Sequence, residues 1–526
     1  METETGLLMT EHEANGATEG DDEIKRVPSH VPGLDTILCG GFLSGGVYLI
    51  QGSAGAGKTV LASQIIYSHA ALGNRALFVT VLGENHGRMM AHLRPMRFFD
   101  QALVPDRVTY VSAYQALDED EEGLKGLTTL LRGEVQARGA MLLVLDGLSA
   151  VEAKASSSFE MKRFTHELQA LALATDCTMF LLTTPSGVLP PPEHTLVDGV
   201  IELQQRIYGL RNERRLLVHK TRGSSYLEGE HAFRITHEGI CVFPRIEAQF
   251  INFAVSDRAP RTRVSSGIAS LDEVFQGGLP TATMAAVVGP AGTGKTTAGL
   301  QFLSASSASE PGLLFGCYES PDRLRLKAET MGIGLAAAEQ RGEVEMVWYP
   351  VGEQILDELA HRLLEAVQRR GVKRLVIDGI SGFQQAAIEH GRMMRFWSAL
   401  SGQLRALGVT TLHTMELPEF IGSEIRAPLG GVSFLSEVLV LLRYVELQSR
   451  LYRLISVFKA REGPFDPTIR EFTITDAGIV VGKPFEGVEA VLSGLAREAA
   501  AGRTAALVRP EGSGAEVSAD PLGPSG

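Results

Sequence analysis

The chain has 526 residues, 44% of them hydrophobic, 21% charged and only 6% aromatic, a globular composition that suits either two large α/β domains or three to four domains of about 150 residues. Lys and Arg number 49 against 62 Asp and Glu, a formal charge of −13, which argues against sequence-independent binding to a nucleic-acid backbone but leaves local nucleotide binding open. The four cysteines, Cys39, Cys177, Cys241 and Cys317, form no CxxC pair, so neither a zinc site nor a disulfide framework is indicated and a reducing cytoplasm is the expected compartment.

Residues 1–25 read as an acidic disordered tail: eight acids precede Ile24 with no Lys or Arg among them, unlike the basic start of a secretory signal. No apolar run approaches the roughly 18 residues needed to span a bilayer, so a soluble protein is expected. From Arg26 onward the chain is organised by an internal repeat. The stretch RVPSHVPGLDTILCGGFLSGGVYLIQGSAGAGKT from Arg26 matches RVSSGIASLDEVFQGGLPTATMAAVVGPAGTGKT from Arg263 without a gap, 237 residues on. The match continues through LLVLDGLSA against RLVIDGISG and through HKTRGSSYLEGEHAFRITHEGI against FKAREGPFDPTIREFTITDAGI. Two copies of one domain are therefore expected, at 26–245 and 263–485, with a linker at 246–262 and a flexible tail at 486–526. Short Val/Ile/Leu runs alternate with helical stretches in each copy, which predicts an α/β fold whose mainly parallel sheet is covered by helices on both faces.

Each copy carries a GxxxxGKT segment between an apolar strand and a helix. They are Gly52-Ser53-Ala54-Gly55-Ala56-Gly57-Lys58-Thr59 and Gly289-Pro290-Ala291-Gly292-Thr293-Gly294-Lys295-Thr296. Glycines let the backbone curl around a phosphate, the helix N-terminus adds partial positive charge, Lys58 or Lys295 reaches the β and γ phosphates, and the Thr59 or Thr296 hydroxyl ligates Mg²⁺. The pattern is therefore read as a P-loop for a nucleoside triphosphate in each copy. Asp146 and Asp378 end later apolar strands, where a carboxylate either caps the next helix or holds the metal shell; the P-loop in the same copy favours the metal. Glu319 follows the LLFGCY strand, and Glu84 comes into register with it through Arg88 with Arg323 and Met96 with Met331. Both are candidate water-activating bases. Lys220 with Arg222, and Lys459 with Arg461, sit two apart after apolar strands and could grip one anion; a neighbouring subunit's phosphate chain is the favoured target over a solvated edge. His86 and His413, near expected strand ends, carry no reading beyond a solvated or core role.

The GG-L-P stretch, the YES segment, the DGIS strand, the K-x-R segments and the F-x-I-T-x-x-G close resemble the KaiC-like two-domain ATPases of the RecA superfamily over about 460 residues. The resemblance implies two tandem RecA-like P-loop NTPase domains, ATP with Mg²⁺ at subunit interfaces of a homo-oligomeric, hexameric ring, and the Lys–Arg pairs acting in trans. Two departures stand out. Family members pair two glutamates after the second strand, where this chain has Gly83-Glu84 and Tyr318-Glu319, and the adjacent Ser-Thr acceptor of the family falls on Ser433-Phe434. The first expectation is thus a KaiC-like ATPase whose nucleotide state changes its assembly or the docking of a protein partner. The alternative is a serine autokinase acting on Ser433, or more weakly Ser436; a scaffold holding nucleotide with little turnover is a further reading. A DNA recombinase is disfavoured, because the loops at 185–199 and 416–431 hold one Arg, Arg426, and no aromatic-interleaved basic surface.

Overall fold

The computed structural model describes residues 25–82, 86–118, 124–184, 196–250, 262–417, 436–447, 449–461 and 463–485, with the backbone of 488–489 and 497–498. The expected N-terminal tail up to Ile24, most of the C-terminal tail, Glu84, Ser433, Phe434 and most of the two loops weighed for DNA lie outside the described residues.

Each copy builds one nine-stranded sheet. In the first, the strand order is Gly239–Phe243, Glu230–Thr236, Arg211–Thr221, Gly199–Tyr208, Val47–Gly52, Thr178–Thr183, Leu142–Asp146, Ala76–Thr80 and Val108–Ser112. The six strands from Gly199–Tyr208 onward are parallel, and the other three fold back antiparallel. The second sheet repeats this order around Met284–Gly289, which lies between Thr410–Glu416 and Val438–Leu447. Central strands such as Val47–Gly52 and Met284–Gly289 are buried along their whole length, because helices cover both faces of the sheet. That burial is why their sequences are continuous apolar runs rather than alternating ones.

The fold places both P-loops at the C-terminal ends of central strands, next to helices Lys58–Ala71 and Lys295–Ser304. Gly57 and Gly294 start these helices at φ 111° and 108°, and a Cβ there would come within 2.8 Å of Ile235 or Ile474. The left-handed backbone conformation is what demands glycine there, since the end of an isoleucine side chain can move aside.

The first residues of the expected linker behave otherwise. Ile246–Gln249 forms a helical turn, and Ile246, fully buried, joins the core of the second copy beside Phe396 and Trp397. Phe250, a few residues on, packs against the same core, so the apolar side chains at the start of the expected linker are what dock it. Charge reinforces the junction. Arg392 donates to Glu247 Oε1 at 2.8 Å and to Asp357 Oδ1 at 2.9 Å, while Arg234 of the first copy donates to Glu358 at 2.6 Å. No helix among the described residues is long and apolar enough to cross a membrane.

Candidate functional site

The two phosphate loops share a geometry that follows from their sequence. Lys58 Nζ donates to the carbonyls of Gly52 and Ser53 at 2.6 and 3.0 Å, and Lys295 Nζ to those of Gly289 and Pro290 at 2.8 and 2.7 Å. Each ammonium is thus held across its own loop. Burial lowers the pKa of both lysines; Asp146 opposes the shift at Lys58, and Glu416 and Asp378 oppose it at Lys295.

The hydroxyl and carboxylate expected to share a metal converge in both copies. Thr59 Oγ1 lies 3.4 Å from Asp146 Oδ2, and Thr296 Oγ1 lies 3.2 and 3.3 Å from the two oxygens of Asp378. A hydroxyl and a carboxylate, both hard oxygen donors, meeting beside a glycine-rich loop are the donor set Mg²⁺ takes when it keeps waters and phosphate oxygens as its other ligands. The residues present therefore fit both ATP and the metal. Asp378 is further held by Thr414 Oγ1, which donates to Oδ1 at 2.7 Å. Burial raises the Asp378 pKa, and the hydrogen bonds from Thr414 and Thr296 oppose the rise.

Around the second loop opens a cavity of about 910 Å³ lined by Lys295, Thr296, Glu319, Asp378, Glu416 and Arg453, among others. That volume is ample for a nucleoside triphosphate. Glu319 faces this cavity and binds Lys327 at 2.9 Å. Beside it, Tyr318 donates its hydroxyl to Ser381 Oγ at 2.9 Å and accepts from Gln385 at 3.3 Å.

Several of these groups escaped sequence reasoning. Arg214 donates to the P-loop carbonyls of Gly55 and Ala56 at 2.7 and 3.2 Å, and Arg453 lines the second cavity with its guanidinium 5.5 Å over the Tyr444 ring. The signal existed: the two arginines are 239 residues apart, the same offset as Lys220 and Lys459.

The Lys–Arg pairs sit elsewhere. Lys220 is opposite Val200 and Thr221 opposite Gly199, which pairs with Tyr48, four residues before Gly52. At about 3.3 Å per residue this sets Thr221 some 13 Å, and Lys220, one residue nearer, some 10 Å along the sheet from their own phosphate loop. Lys459 has the matching position, opposite Leu439, which pairs with Ala286. Their ammonium groups donate to the carbonyls of Val197 and Ser436, each at 2.7 Å. A register shift between Val200 and Ile201, repeated between Leu439 and Val440, skips His219 and Phe458 just before each lysine, and Arg222 and Arg461 lie just past the strand ends. His413 is not at a strand end: it is fully buried inside Thr410–Glu416. Ser436 is buried as well.

A mainly parallel sheet with a phosphate loop, a hydroxyl and a strand-end carboxylate meeting at its central strand defines a P-loop nucleotide-binding protein of RecA-like architecture, present twice. The family model described as "ATPase: KaiC" matches residues 27–247 and again 264–486. The chain belongs to this KaiC family of ATPases and is a KaiC-like ATP-binding protein. Its relatives include the "Circadian clock oscillator protein KaiC" of a Picosynechococcus strain, 26% identical over 493 residues that cover 91% of this chain and 93% of the relative. The protein of the same description from Thermostichus vulcanus is 26% identical over 498 residues, covering 92% and 94%. That from Synechococcus elongatus is 26% identical over 484 residues, covering 90% and 92%.

Proposed function

We propose that the protein hydrolyses ATP in rings of identical subunits, hexameric in the KaiC-like arrangement, and that its nucleotide state regulates assembly or the docking of a protein partner. The observation that supports this most is the paired meeting of Thr59 with Asp146 and Thr296 with Asp378 beside their phosphate loops. In this reading Gly52 to Thr59 and Gly289 to Thr296 wrap the phosphates through their backbone amides. Lys58 and Lys295 leave their loop carbonyls for β and γ oxygens. Thr59 with Asp146, and Thr296 with Asp378, hold Mg²⁺, whose chemistry when bound is neutralisation of charge on the triphosphate. Glu319, and Glu84 by its register, orient the attacking water.

Lys220, Arg222, Lys459 and Arg461 act in trans: the sheet register holds them away from their own loops, so the phosphate chain they meet belongs to another subunit. Hydrolysis is favoured over self-phosphorylation because Tyr318 takes the place of one acid of the family's pair. Clock activity, named for the relatives, is not part of this reading.

Size-exclusion chromatography with light scattering, run with and without a non-hydrolysable ATP analogue and Mg²⁺, tests it. A rise to about six subunits on nucleotide addition is expected, with the Arg222→Ala/Arg461→Ala double variant binding nucleotide but hydrolysing it at least about tenfold more slowly. A mass unchanged by nucleotide and a double variant with full turnover would refute the shared site.

A further inference from the structure

Resting on the reading of Glu319 as the water-orienting acid, we infer that Lys327 is the positioning residue of the second site: it holds the Glu319 carboxylate at the cavity rim in place of the absent neighbouring acid. Lys327 stands on the helix Pro321–Thr330, which begins just beyond Glu319, and donates to Glu319 Oε1 at 2.9 Å. Both side chains line the cavity and are about one-third exposed, at 31% and 34%, so the pair is partly shielded yet open to the bound phosphates.

Three observations assign Lys327 to the acid rather than to the phosphates. Tyr318, where the family resemblance sets the other glutamate, is tied to Ser381 and Gln385, so it gives Glu319 no carboxylate partner. Among the described residues Lys327 is the hydrogen-bond partner of Glu319. The loop lysine, Lys295, already spans the phosphate cradle. The Lys327 charge also offsets repulsion between Glu319 and Asp378, two carboxylates facing one cavity. A freely rotating glutamate would lose the alignment on which orientation of water depends, and an ammonium fixes it without competing for the metal. In the first copy the same register holds His92, which is exposed.

The full-length chain carrying Glu319→Gln, Lys327→Met, both together, or Lys327→Arg separates the outcomes. Glu319→Gln is expected to remove the second site's share of ATP turnover, and Lys327→Met to remove at least about nine-tenths of that share while affinity for a fluorescent ATP analogue stays within about twofold. The double variant loses no more than Glu319→Gln alone, the non-additivity of two residues acting as one. Lys327→Arg recovers most of the activity, which excludes misfolding as the cause. Full turnover by Lys327→Met, additive losses, or affinity weakened more than about fivefold would overturn the positioning role and leave Glu319 as assigned. An unimpaired Glu319→Gln would overturn both.

Discussion

The two copies share a backbone plan down to the register of individual strands, and they part company in the polar groups around the metal corner. In the second copy Asp378 is buried and gripped by hydroxyls from Thr296 and Thr414. In the first, Leu182 occupies the position of Thr414, and Asp146 is half-buried and meets Thr59 at 3.4 Å. The loop contacts differ too: Arg214 caps the first loop's carbonyls, whereas in the second the Tyr444 hydroxyl donates to Gly292 O at 2.7 Å. The lesson is that phosphate binding constrains the frame and leaves the shell free, so duplicated sites can be tuned apart without refolding either.

The comparison breaks most readily at its shared part. If each loop is an independent nucleotide site, calorimetric titration with ATP and Mg²⁺ gives two sites per chain for the native protein, one for Lys58→Ala or Lys295→Ala and none for the double variant. Each lysine is expected to be worth at least about a hundredfold in affinity, as the loss of a charge-assisted contact to phosphate in a partly buried cradle implies. A single variant that abolished both sites would mean that the copies bind only as a unit.

The difference at the corner is sharpened by Thr414→Val, which removes the donor to a buried carboxylate and leaves the shape of the side chain. Loss of a hydrogen bond to a buried charge is expected to cost about 1–3 kcal/mol, read as a lower urea midpoint for the second copy's transition. The first copy's transition should stay put, because Leu182 makes no such bond to Asp146. An unchanged midpoint would show that Asp378 needs Thr296 alone.

The reason these differences were invisible in the sequence is physical. The phosphate loops could be read because Gly57, Lys58 and Thr59 act through a continuous turn whose spacing is local, and Asp146 and Asp378 could be read because each closes an apolar strand. Thr414, Ser381 and Gln385 belong to other elements, and only the sheet order brings them beside Asp378 and Tyr318. Arg214 and Arg453 arrive from antiparallel strands folded back over the loops, a pairing no local motif announces. The junction around Arg392 draws acids from positions 247 and 357, too far apart to stand out as a charge pattern.

The smallest expected effect tests a difference deep in the core. His413 takes the place that Leu181 fills in the first copy, packed with its ring 6.5 Å from that of Trp397 and with neither nitrogen hydrogen-bonded among the described residues. Burial pushes its pKa down from 6.5 to about 4. The folded chain therefore keeps it neutral while the unfolded chain takes up a proton, so stability is lost as pH falls through the window from 6.5 to 4 and is unaffected by this group above it. By that linkage Leu in its place should gain about 1 kcal/mol relative to the native protein between about pH 7.5 and 5.5. His231, whose pKa burial also lowers to about 4, remains in both proteins, so the acid limb flattens without vanishing. Urea titrations of His413→Leu at the two pH values measure the change, and an equal stability difference at both would mean that the imidazole titrates in the fold as it does in the unfolded chain.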